Sequence, residues 1–400
     1  MAPTSIIRIA GAGPSGLAAA IALARAGRTV VVHEAKPTVG ARFIGDLQII
    51  ESYSETEPVP EMLDRFGIST DFYFRAASSS SFYDHKGRRF DVRSEQPYGY
   101  FIRRGPFEGT LDRGLLAQAE NLGVEVRFGS RLRAEEADIV ATGPATPDGL
   151  AREITFASSD PETIDVFFDH RLAPGGYFYL FILDGVGTFG CAIVSDFRRI
   201  DNYFEASLAR VREIRPFTME GDLRSGYSYM NFHLKQRATE GPRLFVGEAA
   251  GFQDYLFGLG LRYALTSGHL AARSILENRS FDELWKEWLG TKQKTSVANR
   301  FLYEAGRNLG LSFFTRGAAR AGDLRDYLRG WHRPVWWKKL IVPLIRGLWR
   351  NGGGCQHQPG PHWCRARDTA MKVPPLGPRQ QDGPSRAGSD ATAGQELAQR

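Results

Sequence analysis

Apolar residues in the first third of the chain recur with the spacing of a nucleotide-binding fold. Residues 5–10 are mostly apolar, residues 17–26 are rich in alanine and leucine, and residues 29–34 form a second apolar run. This succession predicts a strand, a helix and another strand, the first unit of a doubly wound sheet. A further helix and short strand are predicted at 107–128, and a buried strand ending in glycine at 137–143.

The pattern changes to alternation in the middle of the chain. Aromatic and β-branched residues dominate the runs TIDVFF, GYFYLFIL, FGCAIV and SGYSYMNFHL, which lie between residues 163 and 234. These runs predict strands of an antiparallel sheet. From Gly260 onward the periodicity is mainly helical. The predicted fold class is α/β, a Rossmann-type domain with an inserted antiparallel β-sheet domain and a helical C-terminal region.

The predicted domain limits follow these changes of pattern. The Rossmann-type domain is discontinuous, and the sheet domain is inserted twice. The limits are 1–50, 100–155 and 240–280 for the Rossmann-type domain, 51–99 and 156–239 for the sheet domain, and 281–350 for the helical region. Residues 351–400, rich in glycine and proline without apolar periodicity, are expected to be a disordered tail.

Charge and cysteine content indicate which partners and which cellular compartment to expect. The formal net charge of the 400 residues is +6, but the excess of basic residues lies beyond residue 330, so the main body is close to neutral and no nucleic-acid partner is expected. The chain has three cysteines, Cys191, Cys355 and Cys364, and no apolar signal segment precedes the first predicted strand. We therefore expect a cytoplasmic protein.

The sequence GAGPSG at residues 11–16 is a dinucleotide-binding fingerprint in its proper context, between a strand and a helix. Gly11 suits the tight turn, Gly13 lets a diphosphate approach the backbone, and Gly16 permits close packing of the helix. Glu34, at the end of the next strand, is expected to accept hydrogen bonds from an adenosine ribose. The cofactor-binding residues predicted here are Gly11, Gly13, Pro14, Ser15, Gly16, Glu34 and Ala35.

A second GxGxxG sequence, at residues 185–190, lies between two strand-like runs and is not followed by a helix. We interpret it as a hairpin turn, because the fingerprint needs a helix N-terminus to hold phosphate. The sequence therefore predicts no separate nicotinamide-binding domain. An external electron donor, NAD(P)H or a redox protein, is expected to act transiently.

Residues 247–272, GEAAGFQDYLFGLGLRYALTSGHLAA, resemble the second flavin motif of the geranylgeranyl reductase family of FAD-dependent oxidoreductases, which has the aromatic-ring hydroxylase-like fold. The resemblance implies that the Rossmann-type domain binds FAD and that the inserted sheet binds substrate. Glu248 and Tyr255 stand where the family has aspartate and proline. The cofactor-binding residues implied are Gly247, Glu248, Gly258, Leu259, Gly260 and Leu261.

The same resemblance implies two cofactor-binding arginines. Arg42 matches an arginine that reaches the cofactor in the family, and Arg104 matches an arginine that precedes a helix, although Arg103 and Arg104 also fit a solvated turn. The family often has a cysteine in the segment that follows Arg42, but Ile44-Gly-Asp-Leu has none. Chemistry attributed to that cysteine is therefore not expected.

The run GGYFYLF resembles the family's substrate-sheet motif. The resemblance implies a substrate pocket lined by Tyr177, Tyr179 and Phe181, and Tyr255 is assigned to the same pocket. Ordinary aromatic residues of a sheet core would give the same pattern, so that alternative stays open. No catalytic residue is identified by the sequence.

The function implied is reduction of C=C bonds in a hydrophobic, isoprenoid or lipid-like substrate by hydride from reduced FAD. The alternatives are an FAD-dependent monooxygenase that hydroxylates or epoxidises its substrate, and a flavin-binding, membrane-docked partner without turnover. Halogenation is disfavoured because the Trp-x-Trp-x-Ile-Pro motif of flavin-dependent halogenases is absent.

Two C-terminal features bear on metals and membranes. Cysteine and histidine recur at residues 355–364, but the Pro/Gly-rich context argues against zinc, and no metal is expected. Residues 331–350 combine four tryptophans with five basic residues and no acidic residue. This composition suits either contact with the surface of a membrane, at its inner face, or a helix packed on the main domain.

Overall fold

The computed structural model describes residues 6–144, 147–232, 234–345 and 362–363. A six-stranded sheet carries the predicted nucleotide-binding unit and has the order β16-β17-β9-β1-β2-β8. Every neighbouring pair in it is parallel except β16 and β17. Its strands are β1 (Ile7–Ala10), β2 (Val30–Glu34), β8 (Glu125–Phe128), β9 (Ile139–Val140), β16 (Thr239–Glu240) and β17 (Arg243–Phe245).

Two helices cross tightly over this sheet. Helix α1 (Pro14–Arg25) and helix α5 (Leu261–Glu277) approach so closely that a Cβ added to Gly268 would lie 2.1 Å from the Ser15 carbonyl oxygen. Glycine at this position therefore permits the crossing. Helix α3 (Leu111–Asn121) also packs on α1, and α2 (Val59–Phe66) joins the same apolar core through Met62 and Leu63. The crossing places the start of α1 against the middle of α5.

The inserted sheet has seven strands in the order β14-β10-β13-β12-β11-β5-β6. Only β5 and β11 pair in parallel within it, so the antiparallel sheet predicted from alternation is present. Helix α4 (Ile200–Ile214) packs against this sheet. The strands are β5 (Ser79–Tyr83), β6 (Arg89–Arg93), β10 (Gly149–Ala157), β11 (Thr163–Phe167), β12 (Tyr177–Leu183), β13 (Val186–Ile193) and β14 (Glu220–Met230).

The second GxGxxG sequence lies in a hairpin, as predicted. Strands β12 and β13 are joined at Asp184 and Gly185, whose φ angles of 49° and 77° suit the two-residue turn of a twisted hairpin. The rest of the sequence is strand β13, and no helix follows the turn. It therefore offers no helix N-terminus for a phosphate.

A three-stranded antiparallel sheet in the order β3-β7-β4 lies between the two larger sheets. Its strands are β3 (Leu47–Glu51), β4 (Phe74–Ala77) and β7 (Gly99–Arg103). Strand β3 contacts α5 on one side and β13 on the other. The domain limits predicted from the sequence remain predictions, but the fold class, α/β with an inserted antiparallel sheet and C-terminal helices, is confirmed.

The C-terminal region consists of α6 (Phe281–Trp285), α7 (Thr291–Arg320), α8 (Leu324–His332) and α9 (Trp336–Ile345). Helix α7 is interrupted at Arg307, which has φ 45° and ψ −149°. Helix α9 packs on the first half of α7 through Val342 and Ile345. Among the described helices, none combines the length and the apolar character needed to cross a membrane.

The predicted tail at 351–400 lies outside the described residues except for a two-residue strand, β18 (His362–Trp363). It pairs antiparallel with β15 (Leu234–Lys235). The cysteines of the segment 355–364 are likewise outside the described part of the chain.

Candidate cofactor and substrate site

One cavity of about 620 Å³ joins the first glycine-rich turn to the inserted sheet. It brings together most of the residues predicted from the sequence, although these lie far apart in the chain. Those that line it are Gly11, Gly13, Pro14, Ser15, Glu34, Ala35, Arg42, Arg104, Tyr177, Tyr179, Phe181, Glu248, Gly258, Leu259, Gly260 and Leu261. Gly16, Gly247 and Tyr255 do not line the cavity.

The three glycines of the first turn occupy three different steric environments. Gly11 has φ 106°, and a Cβ there would lie 2.4 Å from the carbonyl oxygen of Ala141 on the neighbouring strand. A Cβ on Gly16 would lie 2.1 Å from the carbonyl oxygen of Gly11, so Gly16 serves helix packing behind the cavity. A Cβ on Gly13 would meet no atom within 4 Å. Gly13 therefore borders open space in which a diphosphate can approach the backbone.

The start of α1 suits an anion. The helix begins at Gly13 without a capping side chain, and its first turn has no acidic residue. Its first amide groups therefore lack the side-chain acceptor that often satisfies them, and the helix dipole favours negative charge there.

Glu34 lies at the end of β2, where its carboxylate accepts hydrogen bonds from the amides of Ala12 and Lys36, both at 2.9 Å.

The second glycine-rich segment packs directly against the first. Gly247 has φ 58°, and a Cβ added to it would lie 2.7 Å from Ser15 Oγ. Its amide donates to Ser267 Oγ on α5 at 2.9 Å. Gly247 therefore lies outside the cavity lining, at the contact between the two glycine-rich segments.

Glu248 and Arg42 lie next to each other at the cavity wall. Glu248 Oε2 lies 3.6 Å from a guanidinium nitrogen of Arg42, and among the described residues it has no closer hydrogen-bond partner. Burial raises the pKa of Glu248, against the opposing charges of Arg42 and Arg104. This oxygen is buried, lies at the cavity wall and has capacity to accept a hydrogen bond from a ligand hydroxyl.

Arg104 is buried rather than part of a solvated turn, so that alternative is wrong. Its guanidinium makes two hydrogen bonds of 2.9 Å to the carboxylate of Asp112 on α3 and lies 3.9 Å from the ring centre of Phe43. Only 4% of Arg104 is exposed. Its position at the cavity wall is therefore fixed by the ion pair with Asp112.

The backbone before α5 forms another part of the wall. Gly258 has φ 74°, and a Cβ there would lie 2.3 Å from the sulfur of Met230. A Cβ on Gly260 would come no nearer than 3.5 Å to Gln253 or Glu248. Helix α5 begins at Gly260 without a side-chain cap or an acidic residue in its first turn. The amide of Gly258 donates to the Asp254 carbonyl oxygen at 2.9 Å, whereas the uncapped first amides of α5 are available to a ligand in the cavity.

Strand β12 provides an aromatic wall. Tyr177, Tyr179 and Phe181 alternate along the strand and point to the same face of the sheet, where they line the cavity. The rings of Tyr179 and Phe181 stack with centres 4.7 Å apart. Tyr177 donates a hydrogen bond of 2.6 Å to the carbonyl oxygen of Phe257. These aromatic residues belong to an apolar core cluster and also line the cavity, and their contact with a substrate stays a prediction.

Tyr255 does not lie where the sequence analysis assigned it. It is fully buried against Phe232, away from the cavity. Its amide donates to Ser296 Oγ at 2.6 Å and its hydroxyl to the Gly251 carbonyl oxygen at 2.9 Å. Proline, the residue of the resembling family at this position, has no amide hydrogen and cannot donate to Ser296.

Sequence analysis missed Glu153, which lies on β10 and lines the cavity next to the aromatic wall, on the same face of the inserted sheet. Its carboxylate accepts a hydrogen bond of 2.7 Å from the hydroxyl of Tyr179. The signal available in the sequence was an acidic residue within GLAREITFA, a strand of mostly apolar residues.

Among the described residues, no group of three His, Cys, Asp or Glu side chains is placed to hold a metal ion.

A family of known sequences matches the segment that contains the first glycine-rich turn of this site. The family of NAD(P)-binding Rossmann-like domains matches residues 9–44. An uncharacterized protein of Methanosarcina barkeri is 24% identical over 147 residues, which is 37% of this chain and 35% of that protein. The similarity therefore extends over about a third of that relative's length.

Solved structures match nearly the whole described chain. A geranylgeranyl bacteriochlorophyll reductase-like protein from Thermoplasma acidophilum has a TM-score of 0.65 at 17% identity, with 85% of this chain and 100% of that chain covered. A flavin-dependent brominase has a TM-score of 0.61 at 14% identity, covering 85% and 99%. A flavoprotein/dehydrogenase from Cytophaga hutchinsonii has 0.57 at 15%, covering 86% and 99%.

Sequence identity this low establishes a shared fold, and the activities of these proteins remain their own. The resemblance stated from the two glycine-rich segments is confirmed at that level. The chain has the fold of the FAD-dependent flavoprotein oxidoreductases.

Proposed function

We propose that this protein is an FAD-dependent oxidoreductase that reduces C=C bonds of a hydrophobic, isoprenoid or lipid-like substrate. The observation that carries the proposal is the continuity of the cavity from the GAGPSG turn to the aromatic wall of β12. A dinucleotide held at the turn would therefore share one cavity with a substrate that packs against the aromatic rings.

The residues around the cavity fit FAD. Gly13 leaves the space that a diphosphate needs, and the uncapped first turn of α1 supplies amides for it. Glu34 lies where an adenosine ribose is bound in folds of this kind. Arg42, Arg104 and Glu248 would hold the diphosphate and ribityl portion, and the backbone at 258–261 would contact the flavin. When bound and reduced, FAD supplies a hydride to the substrate.

The substrate part of the cavity favours an apolar ligand. Beside the aromatic wall, it is lined by Phe82, Ile164, Val166 and Phe168. Such surfaces bind hydrocarbon through burial, worth about 25 cal/mol per Å² of apolar area removed from water. A chain with isolated double bonds offers this apolar area together with a bond that accepts hydride.

Two partners are proposed with this function. The GxGxxG sequence of the β12–β13 hairpin does not precede a helix, so NAD(P)H or a redox protein would act as an external electron donor without a second dinucleotide-binding domain. Contact with a membrane surface through α9 is proposed because Trp336 and Leu340, one turn apart, are 73% and 60% exposed. A membrane would deliver a lipid-like substrate.

The proposal is tested by single-turnover reduction. The FAD-loaded protein is reduced chemically without oxygen and mixed with a lipid that carries geranylgeranyl chains. The matched control lipid carries saturated phytanyl chains. We expect the flavin to be oxidised only by the unsaturated lipid, and mass spectrometry should show a product that has gained two hydrogen atoms for each double bond reduced.

Two other outcomes would contradict the proposal in different ways. Product that forms only after oxygen is admitted and carries one added oxygen atom would identify a monooxygenase. Stable FAD binding with no reduced lipid in the absence of oxygen and no oxygenated lipid in its presence would instead indicate a flavin-binding partner without turnover.

A further inference from the structure

A row of three residues crosses the inserted sheet beneath the substrate part of the cavity. Gly190 on β13 pairs with Glu153 on β10 on one side and with Tyr179 on β12 on the other. Residues in the same row of neighbouring strands point to the same face of a sheet. Glu153 and Tyr179 are thus on the cavity face, separated by a residue without a side chain.

The missing side chain at Gly190 permits the contact. A Cβ added to Gly190 would lie 2.4 Å from both the ring carbon Cζ and the hydroxyl oxygen of Tyr179. The phenol therefore lies across Gly190, and its hydroxyl reaches Glu153 Oε1 at 2.7 Å. Any larger residue at position 190 would displace the ring and break this hydrogen bond.

Several charged and polar groups surround Glu153. Only 6% of the residue is exposed, and this burial is the main reason that its pKa is raised to about 7. The buried carboxylate of Asp46, which precedes β3, raises the pKa further. The hydrogen bonds from Tyr179 on β12 and Ser228 on β14, and the charge of Arg42, act in the opposite direction. A carboxyl group in such surroundings can hold a proton near neutral pH and release it.

The polar groups of the cavity wall described above differ from Glu153 in their partners or their position. The carboxylate of Glu34 accepts two backbone amides, and Arg104 is paired with Asp112. Glu248 faces Arg42, on the side of the glycine-rich segments. The hydroxyl of Tyr177 donates to a backbone carbonyl. Glu153 differs from these because it lies in the substrate sheet, next to the aromatic wall.

We propose that Glu153 is the general acid that protonates the substrate, and that Tyr179 is its positioning residue. The inference rests on the proposed function, since it supplies the proton that reduction of an alkene requires. Hydride from the reduced cofactor forms one new C–H bond, and the proton from the Glu153 carboxyl group forms the other. The π bond is lost, and the cofactor is oxidised by two electrons.

The hydrogen bond from Tyr179 has a role in this step. Loss of the proton leaves Glu153 as a buried carboxylate, and the Tyr179 hydroxyl donates to that anion. Hydrogen bonds to a charged acceptor are stronger than those to a neutral one, so this contact stabilises the product of proton transfer. A proton from solvent then restores Glu153 for the next turnover.

Anaerobic single-turnover kinetics over a range of pH test the proposal. The proteins compared are the wild type, Glu153→Gln, Tyr179→Phe and the control Glu120→Gln, whose side chain is exposed on α3. FAD content and the thermal unfolding midpoint, measured for every variant, establish that each protein is folded and loaded. The rate of flavin oxidation by the geranylgeranyl lipid is then measured at saturating lipid.

We expect Glu153→Gln to bind FAD normally. The lipid should oxidise its reduced FAD at least about 100-fold more slowly than in the wild type, because an amide cannot donate this proton. The wild-type rate should fall as pH rises through the pKa of Glu153, since the acid must be protonated. That fall should be absent in Glu153→Gln. Tyr179→Phe removes a hydrogen bond that lowers the pKa, so its rate should fall at higher pH than in the wild type. Glu120→Gln should match the wild type.

Each contrary result has a distinct meaning. Wild-type turnover together with an unchanged rate and pH profile in Glu153→Gln would overturn the assignment of Glu153 alone. A slower Glu153→Gln that retains the wild-type pH profile would make Glu153 a structural residue and would also overturn the assignment. If the wild type binds FAD but no added lipid oxidises its reduced FAD, the proposed function is refuted. The assignment of Glu153 as general acid is then refuted with it.

Discussion

Gly13 and Gly16 are three positions apart, yet substitutions at them are expected to affect different properties: cofactor binding at Gly13 and packing of α1 at Gly16. The backbone at Gly16 is enclosed by Gly11 and Ala141, whereas Gly13 borders the cavity. A side chain at Gly16 must therefore disturb the contact between α1 and the sheet. A side chain at Gly13 occupies only the space into which a diphosphate would come.

We predict that Gly13→Val leaves the FAD-free protein folded but abolishes FAD retention. Its free energy of unfolding should fall by only about 1 kcal/mol, since the side chain meets no atom but valine is a poorer N-cap of α1 than glycine. FAD affinity should fall at least about 100-fold, equivalent to about 2.7 kcal/mol, because the side chain blocks the diphosphate. Flavin absorbance after gel filtration and a denaturant titration measure the two quantities.

Gly16→Val is the matched comparison for this prediction. It should lower the unfolding midpoint of the FAD-free protein, since its Cβ cannot fit beside the Gly11 carbonyl oxygen. Retention of FAD by Gly13→Val would show that the cofactor does not lie on this turn.

The sequence identified residues whose role depends on the local backbone, and missed those whose role depends on distant neighbours. The fingerprint glycines follow from one strand, one turn and one helix. The burial of Arg104 depends on Asp112, and the role inferred for Glu153 depends on Gly190 and Tyr179 in other strands. Tyr255 was misassigned because its ring packs on Phe232 rather than toward the cavity.

Helix α8 is held to the loop before α5 by a buried charge pair. His332 Nε2 lies 3.3 Å from Asp254 Oδ1, and Ser296 on α7 donates to the same carboxylate oxygen. Burial alone would lower the pKa of His332, but the charge and hydrogen bond of Asp254 outweigh it and raise this pKa. Burial would raise the pKa of Asp254, but His332 and Ser296 lower it. The pair connects three elements.

The signs of these shifts predict how stability depends on pH. The contribution of His332 is present below its unfolded-state pKa and is lost as pH rises through its raised pKa. That of Asp254 is present above its unfolded-state pKa and is lost as pH falls through its lowered pKa. The pair therefore stabilises the fold most in mildly acidic to neutral solution.

We predict that His332→Gln lowers the free energy of unfolding by about 3 kcal/mol near pH 6, because Asp254 is left buried without its cation. The loss should become smaller at alkaline pH, because the contribution of His332 is lost as pH rises through its raised pKa. Urea unfolding at both pH values measures the difference. The control is His269→Gln, since burial lowers the pKa of His269 to about 4 and keeps it neutral in both solutions. A loss of equal size at both pH values would exclude a charged pair.

At the scale of elements, helices and strands with strong periodicity were predictable, and their contacts were not. The hairpin at 185–190 followed from the absence of a helix after it, and β1, α1 and β2 followed from the fingerprint. The three-stranded sheet β3-β7-β4 joins segments about 25 and about 50 residues apart, and no local pattern specifies that pairing. The attachment of α8 through Asp254 is a long-range contact of the same kind.

Across the whole molecule, the exposed apolar side chains are concentrated in the C-terminal helices. Leu309 and Phe313 on α7 are 74% and 72% exposed, and α9 exposes Trp336, Trp337 and Leu340. Arg333 and Lys339 are exposed beside the α9 residues. Tryptophan and leucine flanked by basic side chains suit the headgroup region of an anionic membrane.

We predict that the double substitution of Trp336→Ser and Leu340→Ser weakens binding to anionic phospholipid vesicles by about tenfold or more, because each side chain contributes about 1.5 to 3 kcal/mol when buried. Cosedimentation with the vesicles measures the binding. Leu122→Ser, an exposed leucine on the Rossmann-type domain, is the control and should bind like the wild type. Equal cosedimentation of all three proteins would remove α9 from the membrane proposal.

The strand order of the six-stranded sheet has a consequence for synthesis of the protein. Strands β1 and β2 leave the ribosome early, but β9 also pairs with β17, whose residues follow about 100 positions after those of β9. The cavity further needs α5, which is later still. Such non-local pairing slows folding and leaves sheet edges unpaired while the chain grows. The nascent chain must therefore be protected from aggregation until α5 has emerged, and only then can FAD be captured.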